Sequence, residues 1–431
     1  MNAAHAKAAP RRWELLADAL LVGLFLLGTG LRAANLDVVH RSPDEQVYAG
    51  QARVALDAGF EGNRELVRGF RENPQFWAYP PPSRVGYVWL LAGIMKLTGD
   101  RGESAGTYFS CVASVLALLV TIRLGRRFLG GWITVFAALF LAVFPPDLVV
   151  ARRCWTDAPV GLAAVVMLYL TLEIWAGTKG WWAAALLPVA GSAAVLIKET
   201  TVLIYAPCLL AALWAATRRA RNFRHAAILA AGAVLGAAGA IALLAVSTGG
   251  VGVPFQMMLD QARHNAANDY ALNYATGPGY LLLWAFGRLS PLTSMLAVQG
   301  LVLTAASLWV SRPAWSRSSV RHHSAVVLLA CLTILMTAPY ALIPHWLNLR
   351  YASASFAPIC LFAGAGLHQL LLMARQRLGR PMATWVAAGG AALVVLLAVA
   401  DYRRFDRNFV RTSTLDLSVK LVFRALDQQA H

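Results

Sequence analysis

Charge is scarce in this sequence: Asp, Glu, Lys and Arg together make up 14% of its 431 residues, with 21 acidic against 38 basic. With 58% of the residues hydrophobic, there is too little polar surface to solvate a fold of this size, which excludes an ordinary water-soluble protein. Cysteine is scarce too. Of the five, Cys111, Cys208, Cys331 and Cys360 lie within apolar stretches and Cys154 stands alone in a loop, so neither a disulfide framework nor a CxxC metal site is expected. They read as small core residues. Internal repeats, low-complexity linkers and composition shifts are absent as well, so the chain reads as one membrane unit without a separate soluble domain.

What the sequence has in quantity is apolar runs of about 20 residues, the length that crosses a bilayer as a helix. They predict eleven spans, near 14–34, 105–122, 132–147, 158–176, 181–198, 201–217, 226–248, 291–310, 324–342, 353–373 and 383–400. The first follows Lys7, Arg11 and Arg12 and lacks a small-residue cleavage site, so it reads as a retained helix with a cytoplasmic N-terminus. The formal charge of +17 points to sidedness rather than to nucleic acid. Arg123, Arg126, Arg127, Lys179, Arg218, Arg219, Arg221, Arg224, Arg312, Arg317, Arg321, Arg375, Arg377 and Arg380 all fall in the loops this topology makes cytoplasmic, and no carboxylate accompanies them there.

The opposite face receives a first external loop, 35–103, and a second, 249–290, the latter rich in Asn and aromatic residues suited to sugar hydroxyls and to an ordinary solvated loop alike. Within the first loop, Val85 to Leu97 is too short to span, carries Lys96 and follows three prolines, so a helix lying in the interface is expected. The transmembrane domain thus covers 1–400, and 401–431 is a short amphipathic tail with Leu415, Val419, Val422 and Leu426 on one face. Arg403, Arg404, Arg407 and Arg411 in that tail run against the charge rule, since they fall on the external side.

The densest chemical signal is Arg41-Ser42-Pro43-Asp44-Glu45 just beyond the first span. Ser42, Pro43 and Glu45 have the spacing of a capping box with proline at the first helical position. Capping leaves Asp44 unexplained, and a carboxylate at a helix N-terminus on a membrane surface is a candidate base. The segment resembles the Asp-Glu motif after the first helix of GT-C-fold glycosyltransferases, and is most similar to the protein O-mannosyltransferase and lipid A aminoarabinose transferase group. Further resemblances follow in order: Tyr79-Pro80-Pro81-Pro82, Arg152 to Asp157, Leu196-Ile197-Lys198-Glu199-Thr200, and Asn348-Leu349-Arg350-Tyr351 with Pro358 beyond. Each is short, but the charge-derived topology places Asp44, Tyr79, Asp157, Lys198 and Arg350 on one face. The group often carries a large soluble domain after its last span, whereas about thirty residues follow here.

The resemblance implies an all-α GT-C fold and an inverting transfer of a sugar from a polyprenyl-phosphate carrier to a hydroxyl acceptor, on the extracytoplasmic face of the inner (plasma) membrane. It implies Asp44 as base, Glu45 and Asp157 as orienting groups, Lys198, Arg350 and Arg84 as cations for the phosphate, and Tyr79 and Tyr351 in the substrate site. No nucleic acid and no required cofactor are expected. Without an Asp-x-Asp a nucleotide-sugar metal clamp is unsupported, and a divalent ion bridging Asp44 and Asp157 stays an open alternative. The competing readings are a transporter or lipid flippase, expected to show repeated halves and midplane charges, and a non-catalytic assembly protein whose acidic residues serve only as caps. Asp157, Lys198 and Arg350 equally fit a helix cap, a snorkelling amine and a topology anchor.

Overall fold

The computed structural model describes residues 8–34, 36, 41–177, 181–219, 222–269, 271–310, 317–342, 347–407 and 417–427. Sixteen α-helices appear among them. A first helix, α1 (Ala8–Ala33), leads to the juxtamembrane pair α2 (Pro43–Glu72) and α3 (Val85–Thr98). Next come α4 (Glu103–Phe128), α5 (Gly131–Ala142), α6 (Pro145–Val150), α7 (Asp157–Trp175), α8 (Trp181–Ile197), α9 (Val202–Trp214) and α10 (Phe223–Thr248). The second loop holds α11 (Val253–Ala267) and α12 (Tyr280–Leu289), and α13 (Pro291–Val310), α14 (Arg317–Leu342), α15 (Phe356–Phe405) and α16 (Val419–Asp427) complete the chain. Among the described residues the β pairing is a single antiparallel bridge, Asn348 to Ser418.

Among the described residues seven helices are long and apolar enough to cross a membrane, and they coincide with seven of the predicted spans. The other four, near 132–147, 181–198, 291–310 and 324–342, correspond to the shorter apolar helices Gly131–Ala142, Trp181–Ile197, Pro291–Ala306 and Ser324–Tyr340. The shortness of Gly131–Ala142 has a local cause: Pro145 and Pro146 lack the N–H groups that would continue the ladder, so the chain breaks at Val143 and restarts as α6. Large apolar side chains left exposed on α1 and α10, such as Leu26 at 63% and Leu235 at 72%, form lipid-facing surface rather than a defect in the core.

The last two predicted spans both fall within the 50-residue helical segment α15. A straight helix would hold Leu371 and Gly390 about 28 Å apart. Instead a Cβ on Gly390 would sit 3.4 Å from Leu371 Cδ2, so the chain doubles back between them and the two halves remain separate passes. The first half packs with very small residues: a Cβ on Gly366 would come 2.3 Å from Leu296 O of α13, and one on Gly364 2.5 Å from Ile133 O of α5. Backbones that close are how membrane helices gain contact without a hydrophobic drive between them.

The helix predicted for Val85 to Leu97 is α3, which crosses α2 with Tyr48 and Tyr87 rings 4.8 Å apart and Phe60 and Trp89 rings 4.8 Å apart. The tail is amphipathic as read, with Val419 and Val422 each 1% exposed. It is also paired: Leu349 N donates to Leu417 O at 2.9 Å and Val419 N to Leu347 O at 3.0 Å. Lys7, Lys179, Arg221, Arg312, Arg411 and Leu415 lie outside the described residues.

Candidate active site

Helix polarity brings the candidate residues to one end. α1 finishes there and α2 begins there. α7 starts at Asp157, α8 ends one residue before Lys198, and α15 follows directly on the turn Leu349–Ser355. Charges far apart in sequence therefore converge.

At the base of this end, Glu45 is fully buried. Its carboxylate accepts from Ser42 N at 2.9 Å, Arg153 Nη1 at 3.0 Å, Cys154 N at 3.0 Å and Arg41 Nη1 at 3.2 Å. The expected capping role is present: with four donors on its carboxylate and no exposure, Glu45 ties the start of α2 to the Arg152–Thr156 loop. Burial pulls the Arg153 pKa down and Glu45 opposes it. Burial also pushes the Cys154 thiol up to about 12, which makes it inert. Gly106 allows α4 to pass this loop, because a Cβ there would overlap Cys154 Sγ at 2.1 Å.

Above this layer the neighbouring Asp44 faces the other way. Its side chain is 23% exposed and its Oδ2 accepts from Arg350 Nη2 at 2.8 Å. The Arg350 guanidinium lies 4.6 Å from the centre of the Trp155 ring and 5.2 Å from that of Tyr351. Tyr351 takes a second cation, Lys198 Nζ, at 4.5 Å, and that amine donates to Asp157 Oδ1 at 2.8 Å. One aromatic ring thus joins two ion pairs, Asp44–Arg350 and Asp157–Lys198. Asp157 and Lys198 are enclosed, with side chains 4% and 7% exposed, so their charges act on the mouth mainly as a field.

A third pair borders the same opening. Arg84, at the start of α3, donates from Nη2 to Glu199 Oε1 at 3.1 Å and from Nη1 to the Tyr48 hydroxyl. Burial works against its charge, yet Glu199 and Tyr48 more than offset that, and its pKa lies well above the ordinary arginine value. Burial likewise holds the Tyr48 hydroxyl above its usual range, so it stays a neutral donor and acceptor. The Tyr79 carbonyl accepts from Gln261 Nε2 of α11 at 2.9 Å.

Sequence reading passed over several of these groups. Glu199 sits inside a quoted motif but was overshadowed by Lys198, and nothing local marks Arg153 or Trp155 as partners of Glu45 and Arg350. Arg32 and Asp147 form a buried pair whose guanidinium also donates to Ser114 Oγ at 2.6 Å and Leu141 O at 2.9 Å. Each was hidden within a predicted span. Among the described residues no group of three His, Cys, Asp or Glu side chains comes together as a metal site. Asp44 and Asp157 each hold a side-chain cation on one carboxylate oxygen, Arg350 Nη2 and Lys198 Nζ respectively.

A multi-pass helical bundle with juxtamembrane helices after the first span and paired charges at one mouth is the GT-C architecture, and this chain has that fold. A sequence profile for the dolichyl-phosphate-mannose-protein mannosyltransferase family matches residues 81–249. Among solved structures, the chain is similar to ArnT from Cupriavidus metallidurans bound to undecaprenyl phosphate, with a TM-score of 0.55 and 17% identity over 96% of this chain and 75% of that one. It is also similar to the archaeal oligosaccharyltransferase AglB from Archaeoglobus fulgidus, in complex with an inhibitory peptide and a dolichol-phosphate. There the TM-score is 0.53 and the identity 14%, over 93% of this chain and 56% of AglB. No curated protein matches the chain by sequence.

Proposed function

We propose that this protein is an inverting glycosyltransferase that moves a sugar from a polyprenyl-phosphate carrier to a hydroxyl acceptor at the extracytoplasmic face of the plasma membrane. The observation that carries this reading is the Asp44–Arg350 pair at a partly open mouth, ringed by Asp157–Lys198 and Arg84–Glu199. The fold shared with ArnT, seen with undecaprenyl phosphate, and with AglB, seen with a dolichol-phosphate, supports the donor class.

In this mechanism Arg350 occupies one oxygen of Asp44 and turns the other toward the acceptor. The acceptor oxygen attacks the anomeric carbon and its proton passes to Asp44. The bond from that carbon to the phosphate oxygen breaks on the opposite face, which inverts the configuration. The carrier phosphate leaves as an anion and needs no general acid, unlike the leaving group of a glycosidase. Arg350 and Arg84, with side chains 16% and 12% exposed, are placed to receive it, while Lys198 adds positive potential through the Tyr351 ring. Asp157 orients Lys198 through its 2.8 Å hydrogen bond.

Purified protein incubated with a panel of polyprenyl-phosphate sugars should consume one of them only when a hydroxyl acceptor is present. Asp44→Asn should lower that turnover by about 10²–10⁴-fold with membrane insertion unchanged. Turnover of the variant at the wild-type rate would remove Asp44 as base. Chelation by EDTA should leave the rate unaltered, since Asp44 and Asp157 are both engaged by side-chain cations.

A transporter is disfavoured by the same geometry. The ion pairs fall towards the two ends of the bundle, Asp44–Arg350, Asp157–Lys198 and Arg84–Glu199 at one and Arg126–Asp18 and Arg127–Glu173 at the other, instead of forming a relay across it.

A further inference from the structure

At the end of the bundle away from Asp44, tryptophans collect. Trp13 opens the apolar part of α1, Trp132 lies at the start of α5, Trp175 closes α7, Trp181 and Trp182 open α8, and Trp214 closes α9. The Trp13 and Trp132 rings lie 6.3 Å apart, and those of Trp175 and Trp214 5.1 Å. Tryptophan favours the headgroup layer, so this belt marks where the bundle meets one membrane interface. A cavity of about 610 Å³ opens within the belt, lined by Glu14, Arg123, Arg126, Arg127 and Glu173. Tyr169 and Trp182 wall it, their rings 6.5 Å apart.

The charges in this lining do not all cancel internally. Arg127 Nε lies 3.1 Å from Glu173 Oε1, and Arg126 Nη2 lies 2.7 Å from Asp18 Oδ1. Among the described residues neither Arg123 nor Glu14 forms an ion pair, so the cavity keeps one uncommitted guanidinium and one uncommitted carboxylate. Such a lining fits a zwitterion better than a simple anion, which Glu14 would repel. The space is ample: at about 30 Å³ per water molecule, it would hold roughly twenty. Beside it the flank of α1 exposes Leu15 at 62% and Leu16 at 44%, an apolar track for acyl chains.

We propose that this cavity binds the headgroup of an aminophospholipid, its phosphate on Arg123 and its ammonium on Glu14. The site lies at the opposite end from Asp44, and its occupancy does not depend on the proposed transfer chemistry. The test is native mass spectrometry of the full chain released from vesicles containing equal amounts of phosphatidylethanolamine and phosphatidylglycerol. Wild type should retain one phosphatidylethanolamine in preference to phosphatidylglycerol. Arg123→Ala should lower lipid retention at least ten-fold, and Glu14→Gln should erase the preference while leaving total retention in place. Lys96→Ala, a charge-matched change on α3, should alter neither. Equal retention of the two lipids by wild type, an Arg123→Ala variant that retains lipid normally, or an equal loss in Lys96→Ala would each overturn the proposal. Displacement of the lipid by inorganic phosphate at matched concentration would also overturn it, by making a free anion the occupant.

Discussion

Asp44 and Glu45 are adjacent carboxylates with opposite fates, decided by which way each points from the first turn of α2. Glu45 turns inward and saturates its oxygens on Arg153, Arg41 and two backbone amides, whereas Asp44 turns to the mouth and meets one guanidinium. The two arginine contacts of the site also differ from a bare charge. Arg350 is sandwiched by Trp155 and Tyr351 as well as bonded to Asp44, and a lysine there would keep the charge but lose the planar stacking. Arg350→Lys should therefore retain measurable transfer while Arg350→Ala loses on the order of 10²–10³-fold in rate; equal rates for the two variants would show that the positive charge alone contributes nothing. Beneath the mouth, Arg32 is fully enclosed and donates to Ser114, Gly28, Leu141 and Asp147. Removing it strands the Asp147 carboxylate in a low-dielectric layer, a loss of about 3–5 kcal/mol. Arg32→Ala should show that loss as a lowered thermal midpoint in detergent, and an unchanged midpoint would mean water reaches the pair.

The element whose role is least expected is α16. Two backbone bonds join residues 417–419 to 347–349, immediately before Arg350. On its other side Lys420 Nζ donates to Leu272 O at 3.3 Å, Phe423 meets Trp284 with ring centroids 5.0 Å apart, and the Arg424 guanidinium lies 5.3 Å from the Tyr274 ring. The tail therefore straps the second long loop to the turn that presents Arg350. Val419→Pro removes the amide that bonds Leu347 and should weaken this strap without touching any charged group of the site. Val422→Asp forces a carboxylate into an apolar position and should detach it more fully. Both are expected to reduce transfer and to expose the 417–427 segment to protease, the second more than the first. Protease resistance equal to wild type in both would show that the strap contributes nothing.

For the molecule as a whole, the distribution of charge sets the direction in which the bundle sits. Basic side chains, Arg123, Arg126 and Arg127 among them, crowd the end marked by the tryptophan belt, and in the proposed orientation the mouth with Asp44–Arg350 and Asp157–Lys198 faces away from the cytoplasm, as the positive-inside rule expects. Cysteine introduced at Glu65 should react with a membrane-impermeant maleimide in intact cells, and cysteine at Arg127 only after permeabilisation; the reverse pattern would invert the proposed orientation. Arg403 and Arg404 on the mouth side are the exception to the charge rule. Arg404 is engaged there, donating to Arg288 O at 3.2 Å. The first helix usually dominates the orientation, so the exception is compatible with the rest.

Apolar run length and the sorting of arginines were enough, in the linear chain, to mark eleven apolar segments that are helical in the structure, the separate helix over Val85 to Leu97, and the common end of the bundle at which Asp44, Asp157, Lys198 and Arg350 emerge. Those features depend on transfer free energies that add along a segment, and no partner need be known. Which charges pair was decided only by the fold. Asp44 and Arg350 are separated by 306 positions, and the enclosure of Glu45, the Arg84–Glu199 pair and the docking of α16 all depend on surfaces that exist once the helices are packed. A buried ion pair is favourable only when desolvation is offset by close geometry, and that geometry belongs to the three-dimensional arrangement rather than to any local stretch of residues.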